Sequence, residues 1–133
     1  MAIRVFIAED MAAMRQLIAD ACQSLGGFRI VGCAATEAEA NLWLQDNEKG
    51  WDVAVIDLIL DQGSGIGVLA RAKRQPQAGK AVIFSSYATP GVRQKCIDMG
   101  ADAVFEKHET QLFLQWLADL ADAGPDAGAG RAP

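Results

Sequence analysis

The chain is expected to fold as an α/β domain, a doubly wound parallel sheet with helices on both faces. Three observations predict it. Short, continuous apolar runs recur five times, as expected of parallel strands buried on both faces. A segment with helical character follows each run, and cap residues, glycines or prolines punctuate most of the boundaries. At 133 residues the chain suits one ordinary domain with a real core.

In order, the strands are read at Ile3–Ala8, Phe28–Ala34, Trp51–Ile56, Lys80–Phe84 and Ala103–Phe105. The first helix places Met14, Leu17, Ile18, Ala21, Cys22 and Leu25 at core spacing and stops at Gly26–Gly27. The second opens on Thr36 with Glu39 three residues later, a capping box, and is expected to end near Gly50. The third carries Val68, Leu69 and Ala72 and runs into Pro76. The fourth has Thr89 as N-cap, Pro90 at its first position and Gly100 as its stop. The fifth sets Leu112, Phe113, Trp116, Leu117 and Leu120 on one face. The last stretch, Ala123–Pro133, has no large apolar residue and no periodicity, so residues 1–122 are read as the domain and 123–133 as a disordered tail.

Composition narrows function. The net charge is −5, with 51% hydrophobic residues and no basic run, which argues against a nucleic-acid surface. No window approaches a membrane span, and the apolar start is interrupted by Arg4 and followed by Glu9–Asp10, unlike a secretory signal. Cys22, Cys33 and Cys96 are odd in number and widely spaced, which suggests small buried residues in a reducing, cytoplasmic compartment.

In a doubly wound sheet, ligands bind beyond the carboxyl ends of the strands. There the chain places Glu9 and Asp10 after the first run, Asp57 after the third, Ser85 after the fourth and Lys107 after the fifth. Singly, each has a plain structural reading as a cap or turn residue. Jointly they make a site. Two unit charges about 4 Å apart interact by roughly 4 kcal/mol at an effective dielectric of about 20, so three converging carboxylates call for a divalent cation. All-oxygen donors without His or Cys favour Mg²⁺, and a metal-bound carboxylate beside a free lysine suits a phosphoryl group.

The segments EDMAAMR, VIDL around Asp57, FSS around Ser85 and GADAVFEK around Lys107 resemble the response-regulator receiver family of two-component signalling, over roughly residues 3 to 122. The resemblance implies a flavodoxin-like fold with strand order 2-1-3-4-5. It implies that Asp57 is a phosphoacceptor, that Asp10 binds Mg²⁺ directly and Glu9 through water, and that the Ile59 backbone carbonyl is a further ligand. Ser85 and Lys107 would contact the phosphoryl oxygens. Such a chain is a phosphorelay switch, not a conventional enzyme. Its partners would be a sensor histidine kinase or a histidine phosphotransfer protein, and a downstream protein docking on the fourth helix, fifth strand and fifth helix; receivers also pair with a second copy.

Three departures from the family pattern stand out. Val104 occupies the position of the usual switch aromatic, with Phe105 expected on the opposite face. His108 replaces the proline after the lysine, and Asp61 replaces the proline four residues after Asp57. Ile59 and Tyr87 flank the phosphorylation position and are expected to hinder water, giving slow self-dephosphorylation. Gly63, Gly65 and Gly67 are read as a flexible loop before the third helix, not as a dinucleotide motif. His108 has no ligand partners, and the tryptophans are packing residues. The competing readings are a receiver fragment of a larger regulator or hybrid kinase, and a scaffold that is never phosphorylated. A cofactor protein or a phosphatase on a related fold fits poorly, because the first strand leads into carboxylates without a DxD pattern.

Overall fold

The computed structural model describes residues 2–76 and 78–123. Five strands, β1 (Ile3–Ala8), β2 (Phe28–Ala34), β3 (Val53–Ile56), β4 (Lys80–Ser85) and β5 (Ala103–Glu106), form one parallel sheet in the order β2-β1-β3-β4-β5. The helices between and after them are α1 (Ala12–Leu25), α2 (Glu37–Asp46), α3 (Gly65–Lys73), α4 (Pro90–Asp98) and α5 (Thr110–Ala123). All but Ala123 of the expected tail lies outside the described residues, and Ala123 is the last residue of α5.

Strand alternation sorts the apolar runs into two cores. Phe6, Ala54, Ile56, Ile83 and Val104 face α2, α3 and α4, packing with Leu44, Val68, Leu69 and Cys96. Val5, Ile7, Val55, Val82 and Phe84 face α1 and α5, packing with Ile18, Cys22, Phe113 and Leu117. Each large side chain so buried stabilises the fold by about 1.5–3 kcal/mol. Phe84 stacks on Phe113, with ring centroids 4.3 Å apart, and Phe6 stacks on Trp43 at the same separation. Val104 and Phe105 lie on opposite faces, as expected; Phe105 meets Phe113 edge-on.

Several boundaries differ from the sequence reading. β3 begins at Val53, not Trp51, because the Arg4 N–H bonds the Asp52 carboxylate at 2.8 Å in place of a strand carbonyl. Trp51 is buried, its indole N–H donating to Gln75 Oε1 at 2.9 Å. The capping box forms, with the Glu39 N–H bonding Thr36 Oγ1 at 3.1 Å, but the Glu39 carboxylate reaches back to Ala35 N–H. α2 ends at Asp46, short of Gly50, where the Asn47 side chain donates to the Trp43 carbonyl at 2.8 Å and a turn follows. Leu112, Leu17 and Leu25 are exposed. They flank the buried stripes, which are narrower than the hydrophobic spacing suggests. Cys33 is exposed on the edge strand β2, whereas Cys22 and Cys96 are buried as expected. The Gly63–Gly67 stretch is not a loose loop: Ser64 caps α3, and Gly65 and Gly67 lie within that helix.

Candidate functional site

Parallel pairing carries the ends of β1, β3, β4 and β5 to one rim. Backbone hydrogen bonds continue the ladder past the strands: Glu9 N–H to Ala34 O at 2.9 Å, Asp57 N–H to Ala8 O at 2.9 Å, and Lys107 N–H to Ser85 O at 3.2 Å. Glu9, Asp57 and Lys107 are therefore tied by backbone hydrogen bonds to the neighbouring strands. Gly65 is required behind them, because a Cβ there would run into the Asp57 carbonyl. Its own N–H donates to Leu58 O at 2.9 Å, folding the segment after Asp57 back on itself.

Glu9, Asp10 and Asp57 each offer a carboxylate oxygen, and all three oxygens lie within 4.8 Å of one another. Glu9 is 2% exposed and Asp57 8%, while Asp10 is half-buried. The Lys107 ammonium bridges two of the acids, 2.7 Å from Glu9 Oε1 and 3.2 Å from Asp57 Oδ2. It also lies 5.7 Å from the centroid of Phe84. Lys107 is the only cation bonded to these carboxylates among the described residues. Glu9 also accepts the Met11 N–H at 3.2 Å. Burial pushes its carboxyl up to about 7, against the pull of the Lys107 and Met11 hydrogen bonds, with the nearby Asp57 charge adding to the rise.

Ser85 is fully buried, and its Oγ accepts the Tyr87 N–H at 3.2 Å, leaving its hydroxyl proton to donate elsewhere. The Ile59 N–H donates to Asp57 Oδ1 at 3.2 Å, so the backbone at Ile59 is fixed next to the carboxylate. His108 is exposed and faces Glu106 at 3.3 Å, away from any ligand cluster. The fold thus brings together the acids and the lysine that the sequence reading selected, sets Ser85 at the end of the adjoining strand β4, and leaves His108 outside.

The fold is that of a known group. A family model described as the response regulator receiver domain matches residues 5–115. The chain belongs to the response regulator receiver family. Among curated relatives, it is 31% identical over 117 residues to protein-glutamate methylesterase/protein-glutamine glutaminase 1 of Syntrophomonas wolfei, covering 86% of this chain and 32% of that protein. A second such protein, from Treponema denticola, is 36% identical over 102 residues, covering 74% of this chain and 27% of that protein. The chain therefore spans about a third of the length of these relatives. The response regulator domain of Thermotoga maritima CheB superposes with a TM-score of 0.78 at 20% identity, both chains being covered completely. The CheX–CheY–BeF3–Mg complex of Borrelia burgdorferi gives a TM-score of 0.77 at 18% identity, over 89% of this chain and 90% of that one. At these identities the structural neighbours establish the fold.

Two residues of this receiver had no role in the sequence reading, one touching the site and one touching the loop that follows Asp57. Arg15 donates from Nη1 to the Glu9 carbonyl at 2.8 Å, and Glu37 accepts the Ser64 N–H at 2.8 Å. Arg15 could have been suspected from its place one turn into α1, directly after the acid pair. Glu37 looks in sequence like an ordinary acidic residue in a helix's first turn. Among the described residues, no helix is long and apolar enough to cross a membrane.

Proposed function

We propose that this receiver is a cytoplasmic phosphorelay switch in which Asp57 is phosphorylated with the help of Mg²⁺. The observation that carries the reading is the charge imbalance at the rim: three carboxylates have oxygens within 4.8 Å of one another, and a single ammonium bonds two of them. Hard oxygen donors of this number and spacing suit Mg²⁺. Glu9, Asp10 and Asp57 would hold the ion, with the Ile59 carbonyl as a further donor, and the ion would screen developing charge on the transferring group.

The remaining chemistry belongs to the chain. An Asp57 oxygen attacks the phosphorus of a phosphohistidine, the new O–P bond forms as the P–N bond breaks, and the electron pair returns to the imidazole nitrogen. Lys107 moves from the free carboxylates to a phosphoryl oxygen, and the Ser85 hydroxyl donates its unused proton to another. The phosphodonor is a sensor histidine kinase or a phosphotransfer protein, and output is by contact with a downstream protein on the α4–β5–α5 face. The chain acts as a switch and assists its own phosphorylation. Ile59 and Tyr87, 49% and 59% exposed, follow Asp57 and Ser85 by two residues each and would impede water there, so the phosphoaspartate should persist well beyond seconds.

Incubation with Mg²⁺ and acetyl phosphate, read by intact mass, tests the proposal. A gain of one phosphoryl group that disappears in Asp57→Ala is expected; an unchanged mass in the native protein would favour a constitutive scaffold. The relatives' threefold greater length favours a second reading in which this receiver is one segment of a longer regulator. An antibody against the receiver should then detect a native polypeptide well above 14.1 kDa.

A further inference from the structure

Two of the three glycines after β3, Gly63 and Gly67, have a structural partner that the phosphorylation chemistry does not use. Glu37, the first residue of α2, enters a notch lined by Gly63 and Gly67. A Cβ at Gly63 would lie 2.8 Å from Glu37 Oε1, and one at Gly67 would collide with the same carboxylate. Gly63 also has φ of +81°, where side chains are disfavoured, but Gly67 is helical and its lack of a side chain has no backbone cause. The Gly67 position is explained by the room that it leaves for Glu37.

From that seat Glu37 holds the loop that follows Asp57. Its carboxylate accepts the Ser64 N–H at 2.8 Å, and its own N–H donates to Gln62 O at 3.0 Å; next to it, Asp61 N–H donates to Ala35 O at 3.1 Å. Ser64 pairs across the loop with Ile59 in an antiparallel bridge, and the Ile59 N–H donates to Asp57 Oδ1 at 3.2 Å. A continuous chain of contacts therefore runs from Glu37 through Ser64 and Ile59 to the Asp57 carboxylate. The Glu37 charge also lies at the N-terminus of α3, where backbone N–H groups favour an anion.

We infer that Glu37 is a positioning residue for the acidic pocket: seated against Gly63 and Gly67, it sets the Ile59 backbone and the Asp57 carboxylate for cation binding. The inference rests on the Mg²⁺ reading above. Outer residues that orient metal ligands commonly change metal affinity by tenfold or more when removed.

Calorimetric titration of the protein with Mg²⁺, with melting measured in EDTA, tests it. Glu37→Ala should weaken Mg²⁺ binding about tenfold, whereas Glu37→Gln, which keeps a carbonyl acceptor for Ser64, should stay within about twofold. Gly67→Ala, normally favourable in a helix, should weaken binding about as much as Glu37→Ala, and the double variant should bind no worse than either single one. Wild-type affinity in Glu37→Ala, even with a lowered melting temperature, would reduce Glu37 to a helix cap and overturn the inference. Should Glu37→Ala not fold, Gly67→Ala decides on the same criterion. Native protein that binds no Mg²⁺ would overturn the metal reading and the inference together, whereas native binding that Asp10→Asn abolishes and Glu37→Ala leaves intact would overturn the inference alone.

Discussion

Charged residues crowd both rims of the sheet, and the two rims treat them in opposite ways. At the amino ends, Asp52 accepts the Arg4 N–H at 2.8 Å and the Arg4 guanidinium at 3.0 and 3.1 Å, and Asp102 accepts Lys73 at 3.0 Å and the Ala81 N–H at 2.8 Å. Each acid has its own cation. At the carboxyl ends, Glu9 and Asp57 share Lys107, and the nearby Asp10 carboxylate bonds to no described residue. The titrations follow. Burial raises Asp52, but the Arg4 side-chain and backbone hydrogen bonds outweigh it and the carboxyl lies below its ordinary range, whereas Glu9 is pushed up to about 7. Matched charge holds strand ends together; unmatched charge leaves a pocket that, on the proposed reading, would hold a cation and a phosphoryl group.

The largest expected difference between the rims is in chemistry. Asp57→Asn should abolish phosphorylation by acetyl phosphate, and Asp52→Asn should leave it at the native level; equal loss in both would erase the distinction. Stability should divide them next. Asp52→Asn removes charge-assisted hydrogen bonds from a half-buried pair and should lower unfolding free energy by about 1–2 kcal/mol in urea. Asp10→Asn relieves repulsion without losing a protein partner, so in EDTA it should raise stability, by about 1 kcal/mol or less. A destabilised Asp10→Asn would show that the pocket is balanced after all.

The smallest effect is on pH dependence. Because the folded pKa of Asp52 is lowered, its stabilisation is fully present above the unfolded carboxylate value near about 3.9 and is lost as pH falls through the folded value. The native protein should therefore lose stability faster than Asp52→Asn in acid below about pH 4, and the two curves should run parallel above about pH 5. Urea midpoints collected from pH 2 to 6 check this.

Much of the molecule was legible in the chain. The apolar run at Ile3–Ala8 coincides with a strand, because residues buried on both faces leave an unbroken signal, and the run at Phe28–Ala34 coincides with the edge strand β2, of which only Ala34 is buried. Thr36 and Thr89 cap their helices as local chemistry dictates, accepting the Glu39 and Val92 N–H groups. Strand ends in a doubly wound sheet share one rim, so the sequence alone selected Glu9, Asp10, Asp57, Ser85 and Lys107.

What tertiary structure decided are the relations between distant residues. Lys107 stands 98 positions from Glu9 and 50 from Asp57, and nothing local to any of them shows that one ammonium bridges both. Cys33 and Leu112 carry the same apolar character as buried neighbours, and only the packing of an edge strand and an outer helix face leaves them in solvent. Gly67 reads as a helix-weakening residue until Glu37, thirty positions earlier, is folded against it. Local sequence fixes which residues prefer a strand, a cap or a turn, since those energies depend on near neighbours. Charge balance and close approach depend on distance through space, which only the assembled sheet defines.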